Sequence, residues 1–286
     1  MTGIFKLGSV AIVAFLLSNP SFAQDEPDIN NDWTGPYIGG SLGYGWQPNT
    51  GGETGETIVF DTDGDGTFGD PVTTTSGANA FSPGFCRGAT NQPTPGSCRG
   101  DNDGHVGWSV HAGYDYQMGN FVLGGLVEYG RHVVSNKVTG FSTTPAFYSM
   151  NRRLNSDGAV RLRAGYALPS NTLIYGTGGL AYGKFKNSFF TSNGYNSFTE
   201  ENRKEDDWGW TLGGGIEQKV SDNFSIGLLY KYTRLTPDDY RVTAGQGTPP
   251  SATNPFVITP AGETVFKRSN DDFNVQDVRV TASFRF

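Results

Sequence analysis

Four aspartates are the first residues whose spacing suggests chemistry. Asp61, Asp63 and Asp65 alternate in the run Asp61-Thr62-Asp63-Gly64-Asp65-Gly66, and Asp70 follows shortly after. Oxygens at alternate positions can wrap a hard cation while glycine permits the sharp bend, so the run matches the opening of a calcium loop. The twelfth position of such a loop takes a bidentate acid, and here it is Val72. Calcium held by Asp61, Asp63, Asp65 and Asp70 is one expectation; a solvated acidic loop is the other. Cys86 and Cys98 come next, with eleven residues between them. Two cysteines so close pair in an oxidising compartment. His105, Ser109, Glu128 and His132 then offer a base, a nucleophile and an acid on adjoining segments. No lipase or protease signature surrounds them, and the expectation is that the chain is not an enzyme and has no catalytic residues.

A scaffold must position these groups, and its compartment is set by the first residues. Met1 to Ala23 contains one charge, Lys6, then an apolar core from Val10 to Leu17, then Ser21-Phe22-Ala23 with small residues where a signal peptidase reads. This pattern predicts a secretory signal peptide over 1–23, a short periplasmic segment over 24–32 and a folded domain over 33–286. Export supplies the oxidising compartment that a Cys86–Cys98 disulfide needs.

Glycine accounts for 41 of 286 residues and aromatics for 13%, while charged residues reach only 17%, against about 25% in ordinary soluble domains. Beyond the first two dozen residues no run of 18 apolar residues occurs, which excludes helical membrane spans from the exported chain. The net charge of −7 argues against nucleic-acid binding, since Arg152-Arg153 and Arg203-Lys204 are short patches beside acidic residues.

The repeating period is two. Between His105 and Met118, Val106, Trp108, Val110, Ala112, Tyr114, Tyr116 and Met118 alternate with His105, Gly107, Ser109, His111, Gly113, Asp115 and Gln117. Successive strand side chains point to opposite faces, so this segment is a strand with one apolar face. Similar alternation marks segments around Ile38 to Trp46, Phe121 to His132, Val160 to Tyr166, Trp208 to Glu217, Phe224 to Tyr232 and Asp277 to Phe286. Leu173 to Lys184 is an eighth segment, too rich in glycine for its faces to be assigned. Long connections at 47–104, 135–155, 187–206 and 236–272 alternate with short ones near Gly119-Asn120, Pro169 to Asn171 and Ser221-Asp222. The expected fold is all-β: an eight-stranded antiparallel up-and-down barrel.

The solvent outside this barrel follows from its two faces. The polar parity is glycine, serine and threonine with charges of both signs: Asp115, Glu128, Glu217 and Asp277 against Arg161, Arg163, Lys231, Arg279 and Arg285. Eight strands enclose a space that side chains fill, so these residues are expected to form a lumen charge network and to leave no aqueous pore. Trp46, Trp108, Trp208 and Trp210 border the long loops, while Trp33, Tyr37, Tyr116, Tyr166 and Phe286 lie near the short turns. Two aromatic belts imply two membrane interfaces, so the outer face is expected to meet lipid. The first long loop, 47–104, holds eight acidic and two basic residues and so most of the negative charge.

Trp33-Thr34-Gly35-Pro36-Tyr37-Ile38-Gly39-Gly40, Tyr175-Gly176-Thr177-Gly178-Gly179-Leu180-Ala181-Tyr182-Gly183, Trp208-Gly209-Trp210 with Gly213-Gly214-Gly215-Ile216-Glu217, and Arg279 to Phe286 resemble the small outer-membrane β-barrel family. Within it the chain is similar to the RopB-type alphaproteobacterial surface antigens and to the transmembrane domain of OmpA. The resemblance implies a Gram-negative outer membrane, long loops at the cell surface and short turns in the periplasm. It also implies periplasmic chaperones and an assembly machinery as partners, the latter reading Phe284 and Phe286 as its signal. Envelope structure and surface interaction are the expected role; capture of haem or a host component by the loops is the alternative.

Overall fold

The computed structural model describes residues 31–47, 56–99 and 104–286; the signal peptide and its cleavage point lie outside these residues. Fourteen strands form among the described residues: β1 (Gly35–Trp46), β2 (Ile58–Asp61), β3 (Gly84–Arg87), β4 (His105–Met118), β5 (Phe121–Arg131), β6 (Val134–Ser142), β7 (Ala146–Leu168), β8 (Thr172–Thr191), β9 (Ser197–Glu201), β10 (Lys204–Lys219), β11 (Phe224–Leu235), β12 (Arg241–Gly245), β13 (Thr264–Arg268) and β14 (Phe273–Arg285). β1, β4, β5, β7, β8, β10, β11 and β14 pair antiparallel in that order, and β14 returns to β1. The ring is a closed eight-stranded barrel, which leaves it no open edge.

The alternation sorts residues to the two faces of this wall. Ile38, Leu42, Val110, Leu123, Val127, Leu162, Leu180, Leu212, Ile226 and Val280 are exposed on the outside, Leu162 at 75%. Their neighbours in sequence point inward and are buried. On β8 the odd residues face in and the even ones out, through Ile174, Leu180 and Tyr182. Glycines on both faces conceal that period. One of them, Gly215, leaves the space taken by the Tyr175 ring: a Cβ there would lie 2.7 Å from the Tyr175 hydroxyl.

Above the membrane-facing part the patterning inverts. β2, β13, β12 and β9 pair in that order as a second sheet, and each lies next in sequence to a barrel strand, β1, β14, β11 and β10 respectively. Opposite them, β3 and β6 extend the upper ends of β7 and β8. The wall thus continues past the lipid-facing band as two facing sheets. Their interior is apolar: Ile58, Phe60, Phe81, Val138, Tyr148, Met150, Val242, Phe256 and Phe266 form one buried cluster. The Phe266 ring lies 5.0 Å from Phe60 and 5.4 Å from Phe256. A layer surrounded by water buries apolar side chains, whereas a wall surrounded by lipid exposes them.

β7 makes this switch within one strand. A bulge between Leu154 and Ser156 shifts the register against β8. Tyr148, Met150, Arg152 and Leu154 are buried above it, whereas Arg161 and Arg163 are buried below it. The extra residue moves the inward set from even to odd positions.

Three sequence expectations change here. The connections at 47–104, 135–155, 187–206 and 236–272 are not plain loops, since they contain all or part of β2, β3, β6, β7, β8, β9, β12 and β13. Trp33 is not in an aromatic belt but fully buried, inside the short-turn end of the lumen. Its ring lies under the Lys219 ammonium and the Arg285 guanidinium, and its carbonyl accepts from Arg285. Tyr37 likewise points inward, its ring 4.8 Å from the Arg285 guanidinium carbon. Cations held over these rings are attracted by the ring quadrupole, which gives both aromatics partners inside the lumen.

Candidate functional site

The barrel interior is a stack of three layers. At the short-turn end, Trp33, Val122, Ala167, Leu173, Tyr175 and Leu229 form an apolar plug. Below the two-sheet extension, Val134, Leu154, Ala181, Phe185, Leu235, Phe273 and Val275 form an apolar collar. Between them lies a charged layer.

Glu128 on β5 is the hub of that layer. It accepts from Arg161 Nη2 at 2.7 Å, Lys231 Nζ at 2.7 Å and Arg279 Nη1 at 3.5 Å. Arg279 also donates to Asp277 and, at 3.0 Å, to Ser109 Oγ. Nearer the short turns, Arg163 bonds Glu217 at 2.6 Å, and Arg285 bonds Asp115 at 2.9 Å. All nine of these charged residues are buried. Buried charges persist only when paired, and here each carboxylate meets at least one cation. A cavity of about 20 Å³ remains among Tyr37, His111, Arg163 and Glu217, room for about one water molecule.

Asp157 joins this layer without having been singled out by sequence. Its carboxylate lies 2.5 Å from His132 Nδ1 and 3.9 Å from Lys231 Nζ. Its odd position, shared with Arg161 and Arg163, is the signal in the sequence, masked by Gly158 and Ala159, which break the apolar alternation just before Val160. His132 is therefore bound to Asp157 and Arg279, Ser109 to Ser41 and Arg279, and His105 lies exposed at the rim. Among the described residues no hydrogen bond joins Ser109 to His132.

In the first long connection the structure brings Asp61, Asp63 and Asp70 within 4.8 Å of one another, without Asp65. Asp61 accepts from the Gly64 and Gly66 amides, Asp63 from the Asp65 amide, and Asp70 from Thr62. Those backbone bonds account for the turn through local Asx geometry. Cys86 and Cys98 form a disulfide that ties β3 to the following segment.

The extension carries its own polar features. Arg268 makes paired contacts with Glu56, Nε–Oε1 2.7 Å and Nη2–Oε1 2.6 Å, at the base of the extension. Tyr240 donates to Glu200 at 2.6 Å; burial, reinforced by that carboxylate, pushes its phenol well above the ordinary value. At the far tip is a cleft of about 430 Å³ lined by Tyr148, Asn193, Tyr195, Asn254, Pro255, Phe256 and neighbouring serines, threonines and prolines, with no charged side chain among the described residues of its lining.

Outside the barrel, aromatic side chains sit at two levels. Tyr44, Trp108, Tyr129, Trp208 and Trp210 are exposed toward the long-loop end, and Tyr116, Phe121, Tyr166, Phe224, Phe284 and Phe286 toward the short turns. Tyr182 and Trp208 pack together at 5.0 Å.

The chain is similar to several known outer-membrane proteins. A 31 kDa outer-membrane immunogenic protein of Brucella melitensis is 31% identical over 179 residues, covering 58% of this chain and 73% of that protein. A 22 kDa outer membrane protein of Rhizobium leguminosarum bv. viciae is 30% identical over 139 residues, covering 49% and 57% respectively. Among solved structures, the outer membrane protein OprG of Pseudomonas aeruginosa aligns over 91% of this chain and all of its own, at 13% identity and a TM-score of 0.47. The outer membrane protein β-barrel domain matches residues 9–286, and the chain belongs to that family, as a barrel of the Gram-negative outer membrane.

Proposed function

We propose that the protein is a closed barrel whose role is to hold a folded two-sheet platform at the cell surface, contributing to envelope structure and to surface interaction. The observation that carries this reading is the inversion of patterning along β7 and β8: the wall outlasts the lipid-facing band and packs an aromatic core of its own. Water-filled passage is not its task, because plug, charge layer and collar fill the lumen in turn. The Brucella relative's description as immunogenic supports exposure of the long-loop end. The role proposed for Phe284 and Phe286, exposed on the closing strand and terminus, is recognition by the assembly machinery. Planar-bilayer recordings of the refolded full chain test the closed lumen: no steady conductance is expected, and a stable, large conductance overturns it.

A second reading, ligand capture, is favoured by the tip cleft. Hydroxyls, amides and aromatic faces without charge suit an uncharged polar ligand such as a surface glycan better than haem, whose propionates seek cations. Glycan-array binding that Tyr195→Ala and Asn254→Ala both abolish is expected under this reading, and undiminished binding by both variants excludes the cleft.

A further inference from the structure

Asn193-Gly194 is the only Asn-Gly step in the sequence. It lies in the turn between β8 and β9, where Asn193 helps to line the tip cleft. An asparagine followed by glycine can react with its own backbone: the next amide nitrogen attacks the side-chain carbonyl carbon, and glycine has no Cβ to hinder it.

In this turn the carbonyl oxygen is already polarised. Asn193 Oδ1 accepts from the backbone amides of Tyr195 at 2.9 Å and Asn196 at 3.2 Å. Two amides converging on one oxygen stabilise the negative charge that develops there when a nucleophile adds to the carbon, as an oxyanion hole does.

The leaving nitrogen is held as well. Asn193 Nδ2 donates to the Tyr148 hydroxyl at 3.0 Å and to Asn196 Oδ1 at 2.9 Å. Burial pushes the Tyr148 phenol above its ordinary value, so the hydroxyl keeps its proton at neutral pH. As the carbon becomes tetrahedral, Nδ2 gains a lone pair, and the hydroxyl beside it can turn from acceptor to donor. The nucleophile is free: the Gly194 amide makes no hydrogen bond among the described residues. Gly194 is exposed, and where its Cβ would stand no atom lies within 4 Å. Solvent therefore reaches the amide to take its proton and later to hydrolyse the product.

We infer that Asn193 is a site of self-modification: the folded turn promotes loss of its amide nitrogen and leaves a carboxylate at the tip cleft. Hydroxide takes the Gly194 amide proton, the freed electron pair bonds to Asn193 Cγ, and the Cγ–Nδ2 bond breaks. The nitrogen departs as ammonia with a proton from Tyr148, which water restores. The cyclic imide so formed takes up one water, which opens either of its two C–N bonds and gives aspartate or isoaspartate at position 193. No oxidant or reductant enters. The carboxylate ends both donations made by Nδ2 and stands in a lining with no other charged side chain among the described residues. The isoaspartate form also lengthens the β8–β9 turn by one backbone atom. The tip of the extension thus acquires charge with age.

The test is peptide mapping by mass spectrometry of the refolded full chain during incubation at neutral pH, with isoaspartate quantified by methyltransferase labelling. Asn193 in the folded chain is expected to convert about tenfold faster than in the same chain unfolded in guanidinium, through the polarised carbonyl and the positioned acid. Tyr148→Phe keeps the buried ring and is expected to lower the folded rate severalfold, whereas Tyr182→Phe, which removes a phenol elsewhere, leaves it unchanged. Gly194→Ala fits the open space and is expected to suppress conversion. A folded rate no higher than the unfolded rate overturns the inference, and that comparison requires no variant to fold. A folded Tyr148→Phe chain that converts as fast as wild type overturns it as well, and so does undiminished conversion in Gly194→Ala.

Discussion

Lys231 on β11 reaches Glu128 on β5 across the full width of the barrel, Nζ to Oε1 2.7 Å. Four strand positions separate β5 from β11 in either direction around the ring, so the pair braces opposite walls. Glu128 also receives Arg161 and Arg279, so three cations converge on it, although Arg279 also meets Asp277 and Lys231 lies 3.9 Å from Asp157.

Glu128→Ala is therefore expected to destabilise the barrel by about 3–5 kcal/mol, the cost of leaving buried charge unpaired. Lys231→Met leaves Glu128 two cations and is expected to cost less. Urea unfolding midpoints in lipid vesicles check the order; a Lys231→Met variant weaker than Glu128→Ala reverses it.

Phe266 is fully buried in the extension, among Phe60, Phe81, Tyr148 and Phe256. Phe266→Ala is expected to remove about 3–5 kcal/mol from this core. Because the collar and charge layer lie apart from it, limited proteolysis is expected to cut β2, β12 and β13 faster while the eight wall strands stay protected. Loss of the wall at the same protease concentration contradicts a separately packed extension.

Leu212 lies exposed on the lipid-facing side of β10, between Tyr232 and Gly178 on its neighbours. Leu212→Arg places a charge in the hydrocarbon and is expected to cost about 2–4 kcal/mol in folding from urea into bilayers. An unchanged folding free energy contradicts lipid contact at that face.

The wall strands were legible in sequence because each keeps one parity for its whole membrane-facing length, as β4 does from His105 to Met118. The extension was not. Its strands β2, β3, β9, β12 and β13 are four or five residues long, and β2 finds its partner more than two hundred residues away, with Phe60 opposite Phe266. The bulge in β7 also ends the parity on which Asp157 and Arg161 could have been joined to Tyr148 and Met150. Trp33 and Tyr37 were misplaced for a different reason. Aromatic residues near a rim suit an interface or a cationic lumen, and the positions of Arg285, Lys219 and Arg163 decide between them.

The Cys86–Cys98 disulfide closes a short ring at the edge strand β3. Reduction, or a Cys86→Ser/Cys98→Ser pair, is expected to remove about 3 kcal/mol from this segment in the loop-entropy description. Faster proteolysis confined to 84–99, with the barrel's heat-modified gel shift unchanged, is the expected result; uniform protection with and without reductant contradicts it.

Single cysteines at Gly194 and Ser251 near the tip cleft, and at Gly119 and Ser221 in the short turns, placed in a Cys86→Ser/Cys98→Ser background, locate the two ends directly. With a membrane-impermeant maleimide on intact cells, Gly194→Cys and Ser251→Cys are expected to label fully, and Gly119→Cys and Ser221→Cys only after the outer membrane is opened. Labelling of the short-turn pair in intact cells, with the tip pair silent, would contradict a folded platform held at the cell surface.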